Sequence, residues 1–109
     1  EIQQVISNLL VNAALALESG SGTIRVLLGQ EQQEAVLQVE DSGPGVDPEI
    51  AERIFEPFFT TRPVGQGTGL GLSISRQIAE QNGGRLDFLG GSRFQLRLPL
   101  WKSRAAAVG

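Results

Sequence analysis

Two asparagines spaced four residues apart are the first side chains in this sequence that could do chemistry. Asn8 and Asn12 share one face of a predicted helix, because residues four apart in an α-helix lie on the same side. An amide oxygen is a hard, neutral ligand that suits a Mg²⁺ ion held mainly by phosphates. The alternative is an ordinary solvated face, since asparagine costs a helix interior only about half a kcal/mol relative to alanine.

A carboxylate precedes the first glycine-rich turn, which spans residues 41–45. Asp41 is in phase with Val39 on a predicted strand, so its carboxylate points to the apolar side of the sheet. An unpaired buried charge is costly, and the carboxylate therefore needs a partner. Two partners remain open: the backbone N–H groups of the turn, or a ligand donor such as an adenine amino group, with Gly43 and Gly45 passing close to the flat base.

A second glycine-rich stretch, residues 65–71, runs directly into another predicted helix. Backbone N–H groups and the positive end of the helix dipole make such a junction a ready phosphate site. The stretch is not a P-loop, because no lysine follows the glycines. It is not a dinucleotide-binding fingerprint either, because no strand leads directly into it. Phosphate binding and a plain flexible hinge are the two interpretations that remain.

An aromatic segment at residues 55–62 lies between the two glycine-rich stretches. It holds Phe55, Phe58 and Phe59, which is three phenylalanines in five residues. Such residues are normally part of the core. Here they could instead anchor the base of a mobile loop from which Arg62 reaches toward phosphates.

Helices and strands must position these segments. Apolar residues at three- and four-residue steps predict helices over about 1–18 and 70–82, the second ended by two glycines. Asp47 followed by Pro48 predicts a third helix, with Asp47 as its N-cap. Alternating apolar residues predict four strands in two hairpin-like pairs, around residues 24–28, 37–41, 86–88 and 94–100. The order predicts an α+β two-layer sandwich: a mixed, mostly antiparallel sheet with about three helices on one face.

Composition narrows the possible functions. A chain of 109 residues suits one domain, and the sequence has no apolar run long enough to span a membrane. It contains neither cysteine nor histidine, which excludes disulfides and metal sites built from thiolates or imidazoles. A net charge of -3 with scattered arginines argues against nucleic-acid binding.

The order of the motifs resembles the ATP-binding catalytic domain of sensor histidine kinases. That family belongs to a superfamily with gyrase, heat-shock chaperone and mismatch-repair ATPases, which share the Bergerat fold. The matching segments are 8–13 for the N box, 41–45 for the first glycine box, 55–61 for the F box and 67–74 for the second glycine box. The resemblance covers residues 1 to about 100 and implies a catalytic domain at 1–102. The tail at 103–109 is small and alanine-rich, and we expect it to be disordered.

The resemblance also implies roles for individual residues. Asn12 would ligate Mg²⁺, Asn8 would contact metal or phosphate, and Asp41 would accept a hydrogen bond from the adenine amino group. Asn8, Asn12 and Arg62 are the residues implied to act in catalysis. The other implied nucleotide contacts are Gly43 and Gly45 at the base, Thr60, Thr61, Gly67, Thr68, Gly69, Leu70 and Gly71 at the lid and phosphates, and Ser92 on the adenine side.

The implied activity is transfer of the γ-phosphoryl of Mg-ATP to a histidine in two-component signal transduction. The acceptor would lie on a dimerisation and phosphoacceptor domain of the same parent chain, with a response regulator receiver domain as an indirect partner. Neither the acceptor hairpin nor the strand that usually precedes the N box is found in this sequence, so we expect a piece of a longer protein. The resemblance implies a bacterial, cytoplasmic domain with no nucleic-acid or direct membrane contact, and it leaves membrane anchoring of the parent open.

Two alternatives to a histidine kinase domain remain. One is a serine kinase of the anti-sigma-factor type, which would carry glutamate at position 8, where this sequence has Asn8. The other is a non-catalytic module that senses nucleotides.

Overall fold

The computed structural model describes residues 2–17, 21–59 and 71–100. The predicted tail at 103–109 lies outside these ranges. The described elements, in chain order, are α1 (Ile2–Ala16), β1 (Ile24–Glu31), β2 (Glu34–Asp41), a 3₁₀ turn (Ala51–Arg53), α2 (Gly71–Gln81), β3 (Arg85–Gly90) and β4 (Arg93–Pro99).

The four strands form one sheet in the order β1-β2-β4-β3. Each neighbouring pair is antiparallel, so the described part of the sheet is wholly antiparallel and not mixed. Val39 on β2 lies opposite Val26 on β1 and Phe94 on β4, which places these three side chains on one face. Both α-helices pack on that face, and the predicted α+β class is confirmed.

Each helix contributes a narrow apolar stripe to the core. In α1 the stripe is Val5, Leu9 and Ala13, whose four-residue spacing keeps them on one side of the helix. In α2 it is Ile78 and Ala79. Burying a side chain such as Leu9 stabilises the fold by about 1.5–3 kcal/mol. The polar residues beside the α1 stripe are therefore held at a fixed angle to the sheet.

Helix α2 ends at two glycines, as predicted. The N–H of Gly83 donates to the carbonyl of Glu80 at 3.1 Å, and the N–H of Gly84 donates to the carbonyl of Ala79 at 2.9 Å. This pair of bonds is a Schellman motif. A Cβ atom on Gly84 would stand 1.9 Å from the carbonyl oxygen of Arg97, so only glycine allows α2 to end so close to β4.

The predicted third helix, starting at Asp47, is wrong. That segment forms only turns and the short 3₁₀ helix, and Asp47 accepts a hydrogen bond from the N–H of Glu49 at 2.9 Å. Helix nucleation is costly and needs several further residues to offset it. Here the N–H groups of Ile50 and Arg53 bond to carbonyls three residues back, as in a 3₁₀ turn, and Pro57, which has no N–H to donate, limits any helix on the far side. The segment still delivers Ile54 to the core.

Strand β1 is less buried than its apolar residues suggest. Ile24, Val26 and Leu28 do share the face of Val39, but β1 lies at the sheet edge and all eight of its residues are exposed. Leu28 is the extreme case, with 76% of its surface accessible. The helices therefore cover the centre of the sheet and leave this described edge open.

The sheet face opposite the helices is mostly polar around one buried valine, Val36, and Arg97 is its main cross-strand link. The guanidinium contacts Glu31 at 2.6 Å and Glu34 at 3.0 Å, and these hydrogen bonds, that of Glu31 foremost, raise the pKa of Arg97. Within the described ranges, no helix has the length and apolar character needed to cross a membrane.

Candidate functional site

The side chain of Asn8 is fixed to the first turn of α2. Its Nδ2 donates to Oγ of Ser75 at 3.0 Å and lies 3.4 Å from the carbonyl oxygen of Gly71. These two acceptors are neighbours because Gly71 and Ser75 are one helical turn apart. Gly71 is the last residue of the second glycine-rich stretch, so the structure joins the first and third motifs directly.

Asn12 lies half-buried one turn further along α1. A further turn on, Ala16 reaches the first glycine box: a Cβ on Gly43 would stand 2.9 Å from the carbonyl oxygen of Ala16. Each turn advances about 5.4 Å along the helix axis. The stripe of Asn8, Asn12 and Ala16 thus leads from the N-terminus of α2 to the turn that follows Asp41.

The carboxylate of Asp41 is buried, with 8% of the residue exposed. One of its oxygens, Oδ1, accepts a hydrogen bond from the N–H of Gly43 at 2.8 Å. The second oxygen accepts no hydrogen bond from any residue that the structure describes. The two partners that the sequence left open are therefore compatible, since one oxygen caps the turn and no described residue donates to the other.

The hairpin between β3 and β4 fastens one side of the Asp41 turn. Val46 N–H donates to the carbonyl of Gly91 at 2.8 Å, and the hydroxyl of Ser92 donates to the carbonyl of Asp41. Gly45 has a φ of +84°, and a Cβ there would stand 2.7 Å from the carbonyl oxygen of Gly91. Glycine at 45 is required both by the left-handed backbone and by the close approach of the hairpin.

The chain before β1 fastens the other side of the turn. The N–H of Thr23 donates to Oγ of Ser42 at 2.9 Å, and the N–H of Ser42 donates to the carbonyl of Thr23 at 3.0 Å. With contacts on both sides, the backbone of the turn that follows Asp41 is held in one conformation. Such preorganisation lowers the ordering cost of binding.

The aromatic segment is attached to the core through Phe55. Its ring meets Phe94 edge-on, with centroids 6.3 Å apart, and the guanidinium of Arg76 lies 4.1 Å from the ring centroid on the α2 side. Phe59 is covered by Arg53 at 4.6 Å. Phe58, in contrast, is 73% exposed and has a φ of +67°, which is uncommon for an aromatic residue. Phe55 is thus a core anchor, and Phe58 is not.

The described part of the site contains seven of the residues predicted from the sequence. They are Asn8, Asn12, Asp41, Gly43, Gly45, Gly71 and Ser92. The other predicted contacts, namely Thr60, Thr61, Arg62, Gly67, Thr68, Gly69 and Leu70, lie outside the described residues.

Ser75 was missed by sequence reasoning, although it is fully buried and bonded to Asn8. The periodicity of apolar residues does not identify a serine inside a helix as buried. Its phase with Ile78 and Ala79, three and four residues later, puts it on the buried face of α2. A hydroxyl on a buried face needs a partner, and this requirement was the available signal.

The donor groups at the site fit a magnesium ion that is carried in by phosphates. The described residues contain no group of three or more histidine, cysteine, aspartate or glutamate side chains that could hold a metal ion on their own. Mg²⁺ in nucleotide sites is commonly bound by one or two protein oxygens together with phosphate oxygens and water. The amide oxygens of Asn8 and Asn12 are of that kind.

Comparison with known proteins decides the family. The model of the "Histidine kinase-, DNA gyrase B-, and HSP90-like ATPase" family matches residues 1–102. The chain belongs to this ATPase family. Its sequence is 45% identical to the sensor protein ChvG of Agrobacterium fabrum (strain C58 / ATCC 33970) over 111 residues, an alignment that covers 90% of this chain and 19% of ChvG. The chain thus spans about a fifth of that relative's length.

Solved structures of histidine kinases share the fold of this chain. The catalytic domain of the histidine kinase ThkA, in a nucleotide-free form, superposes with a TM-score of 0.75 at 39% identity and covers 90% of this chain and 65% of that one. Full-length ShkA in complex with AMPPNP gives a TM-score of 0.73 at 30% identity, covering 88% of this chain and 20% of ShkA. The prediction that the chain resembles a histidine kinase catalytic domain is confirmed.

Proposed function

We propose that this domain binds Mg-ATP and presents its γ-phosphoryl to a histidine on a separate phosphoacceptor domain. The observation that carries the proposal is the state of Asp41: one carboxylate oxygen is occupied by the Gly43 N–H, and the other is not hydrogen-bonded within the described chain. The asparagine stripe on α1 runs from this carboxylate toward the start of α2. This arrangement suits a ligand with a base at one end and phosphates at the other.

At the base end, the free oxygen of Asp41 accepts a hydrogen bond from the adenine amino group. A hydrogen bond to an ionised carboxylate away from water is about twice as strong as a neutral one. Gly43 and Gly45 line the base, because no side chain separates their backbone from it. Ser92 holds the Asp41 carbonyl and borders the same side.

At the phosphate end, Asn12 ligates the metal and Asn8 contributes a second amide. When bound, Mg²⁺ neutralises charge on the phosphate oxygens. The N-terminal turn of α2, beginning at Gly71, adds the positive end of its dipole. We extend the phosphate and lid contacts to Thr60, Thr61, Arg62, Gly67, Thr68, Gly69 and Leu70, as the resemblance implies.

Transfer of a phosphoryl group depends mainly on positioning and charge neutralisation, and less on a covalent catalyst. Glutamate activates water in ATP-hydrolysing relatives, but this chain has Asn8 at that position. The amide of Asn8 cannot act as a general base, which favours transfer to a protein acceptor over hydrolysis.

The proposal also includes an acceptor domain and a response regulator. They would lie outside this chain, which covers only part of the length of its relatives. ChvG is a bacterial sensor protein about five times longer than the matched region. We place the histidine acceptor on a dimerisation domain of the same parent chain and the receiver domain downstream. The domain itself would be cytoplasmic and bacterial, at residues 1–102.

A calorimetric titration with Mg-ADP tests nucleotide binding. We expect saturable binding by the wild-type domain, and a loss of about ten-fold or more in affinity for Asp41→Asn and Asn12→Ala, as for hydrogen bonds to charged groups. Asp87→Asn, which removes a carboxylate paired with Arg85 on β3, is the matched control and should bind as the wild type does. Unchanged affinity in both site variants would contradict the proposal.

Phosphotransfer is tested by supplying the acceptor separately. The domain is mixed with Mg-ATP and a histidine-bearing dimerisation hairpin from a sensor kinase relative. Acid-labile phosphate on the hairpin is the expected product, and it should be absent with Asn12→Ala. Tight ATP binding without any such phosphate would instead favour a nucleotide-sensing module.

A further inference from the structure

The hydrogen bonds of Asn8 determine which way its amide faces. The carbonyl oxygen of Gly71 can only accept, so the group that faces it must be the Nδ2 amino group. The same nitrogen donates to Oγ of Ser75 at 3.0 Å. Because Oδ1 and Nδ2 diverge from the trigonal amide carbon, Oδ1 of Asn8 is not the end that meets Gly71 and Ser75.

Ser75 is the residue whose side chain holds this orientation. It is 0% exposed, as is Ala79 one turn later on the same face of α2. The packing at this position therefore requires only a small side chain, which alanine would satisfy. A buried hydroxyl without a partner costs about 1–3 kcal/mol, so the bond with Asn8 is what makes serine acceptable here.

We propose that Ser75 is a positioning residue that turns the amide oxygen of Asn8 toward the metal and phosphates of the bound nucleotide. This inference rests on the proposed function. It assigns Asn8 a single role, because an amide whose nitrogen is engaged by α2 offers an oxygen acceptor to the ligand and no donor. Asn8 thus acts on the metal ion or its water and does not donate to a phosphate.

Loss of the Ser75 hydroxyl should affect one end of the site only. Without it, Nδ2 of Asn8 keeps only the long contact with Gly71, and the amide can rotate to expose either end. Asp41 lies beyond Asn12 at the far end of the stripe, and its bonds with Gly43 and Ser92 do not involve α2. The magnesium-dependent part of nucleotide affinity should fall while base recognition is retained.

The test compares ADP affinity with Mg²⁺ and with EDTA for the wild-type domain and Ser75→Ala. We expect the affinity gained from Mg²⁺ to fall by about ten-fold or more, the range typical of residues that orient metal ligands. Affinity in EDTA should not change. Ser7→Ala, at an exposed serine on α1, is the matched control and should retain the full gain. An equal loss in both conditions would reveal a merely structural role and overturn the inference.

A double-mutant cycle with Asn8→Ala separates orientation from packing. Once the amide is gone, Ser75→Ala should cause no further loss of the magnesium-dependent gain. If Ser75→Ala unfolds, Asn8→Ala at its half-exposed position must still remove that gain by itself. A full gain in Asn8→Ala, or independent additive losses, would overturn the inference.

The outcomes also separate this inference from the proposed function. If the wild-type domain binds no nucleotide at all, the proposed function fails as well. If Ser75→Ala keeps the full gain from Mg²⁺, only this inference fails.

Discussion

The backbone N–H of Val46 donates to the carbonyl oxygen of Gly91 across a distance of 2.8 Å. This bond joins the turn after β2 to the hairpin between β3 and β4. Together with the bond from Ser92 to Asp41, it makes the base end of the proposed site a joint product of two segments that are distant in sequence.

Gly45→Ala should destabilise the domain. The substitution forces alanine to a φ of +84° and places a methyl group 2.7 Å from the carbonyl oxygen of Gly91. We expect a loss of about 1–3 kcal/mol in the free energy of unfolding, measured by urea denaturation. Gly29→Ala is the control, because a Cβ there meets nothing within 4 Å. Equal stability of the two variants would contradict this account of the turn.

The base preference of the site should depend on Asp41. Inosine carries a carbonyl where adenine carries its amino group, so the free carboxylate oxygen should repel IDP and accept ADP. In Asp41→Asn, the amide oxygen can still accept from Gly43, while its amino group would donate to the inosine carbonyl. We therefore expect the wild-type preference for ADP over IDP to shrink or reverse, as measured by calorimetry. An identical preference in wild type and variant would rule out Asp41 as the residue that contacts the base.

Phe58→Asn should not destabilise the domain. Phe58 is 73% exposed and has a positive φ, a backbone conformation that asparagine adopts more readily. Thermal unfolding should give an unchanged or higher midpoint. Phe59→Asn makes the same chemical change at a half-buried ring that Arg53 covers, and its midpoint should fall. The reverse order of the two midpoints would contradict the structure.

Phe94→Ala should cost about 3–5 kcal/mol, the usual range for removing a buried aromatic side chain. Phe94 is 5% exposed and contacts both Phe55 and Phe88, so its loss detaches the aromatic segment from the sheet. Since domains of this kind are stable by only about 5–15 kcal/mol, the variant should unfold at markedly lower urea concentration. Leu89→Ala, at an exposed position on β3, serves as the control.

Strongly periodic segments were predictable from the sequence because their geometry is local. The four-residue spacing of Val5, Leu9 and Ala13 indicates a helix whatever surrounds it, and the glycine pair at 83–84 ends α2 as expected. The phase of Asp41 with Val39 correctly predicted a buried carboxylate. It could not be decided that one oxygen binds Gly43 while no described residue donates to the other, because this depends on the exact turn.

Features that depend on tertiary context were harder to predict. Asp47 looks like a helix cap, yet only one short 3₁₀ turn follows, with backbone bonds that reach three residues back and not four. Leu28 has the phase of a core residue but extends past the helices at the sheet edge. The hydrogen-bond partner of Ser75 is Asn8, which is remote in sequence. The packing of α1 against α2 brings the two residues together.

The Val46–Gly91 bond has a consequence for how the domain is made. A ribosome delivers Asp41 long before the hairpin that clamps its turn, and Asn8 before the helix that fixes its amide. A nascent chain that lacks β4 therefore holds most of the proposed ligand-contacting residues without their geometry. Competence to bind nucleotide should appear abruptly once β4 has been synthesised, and chains terminated before β4 should be inert toward cellular ATP.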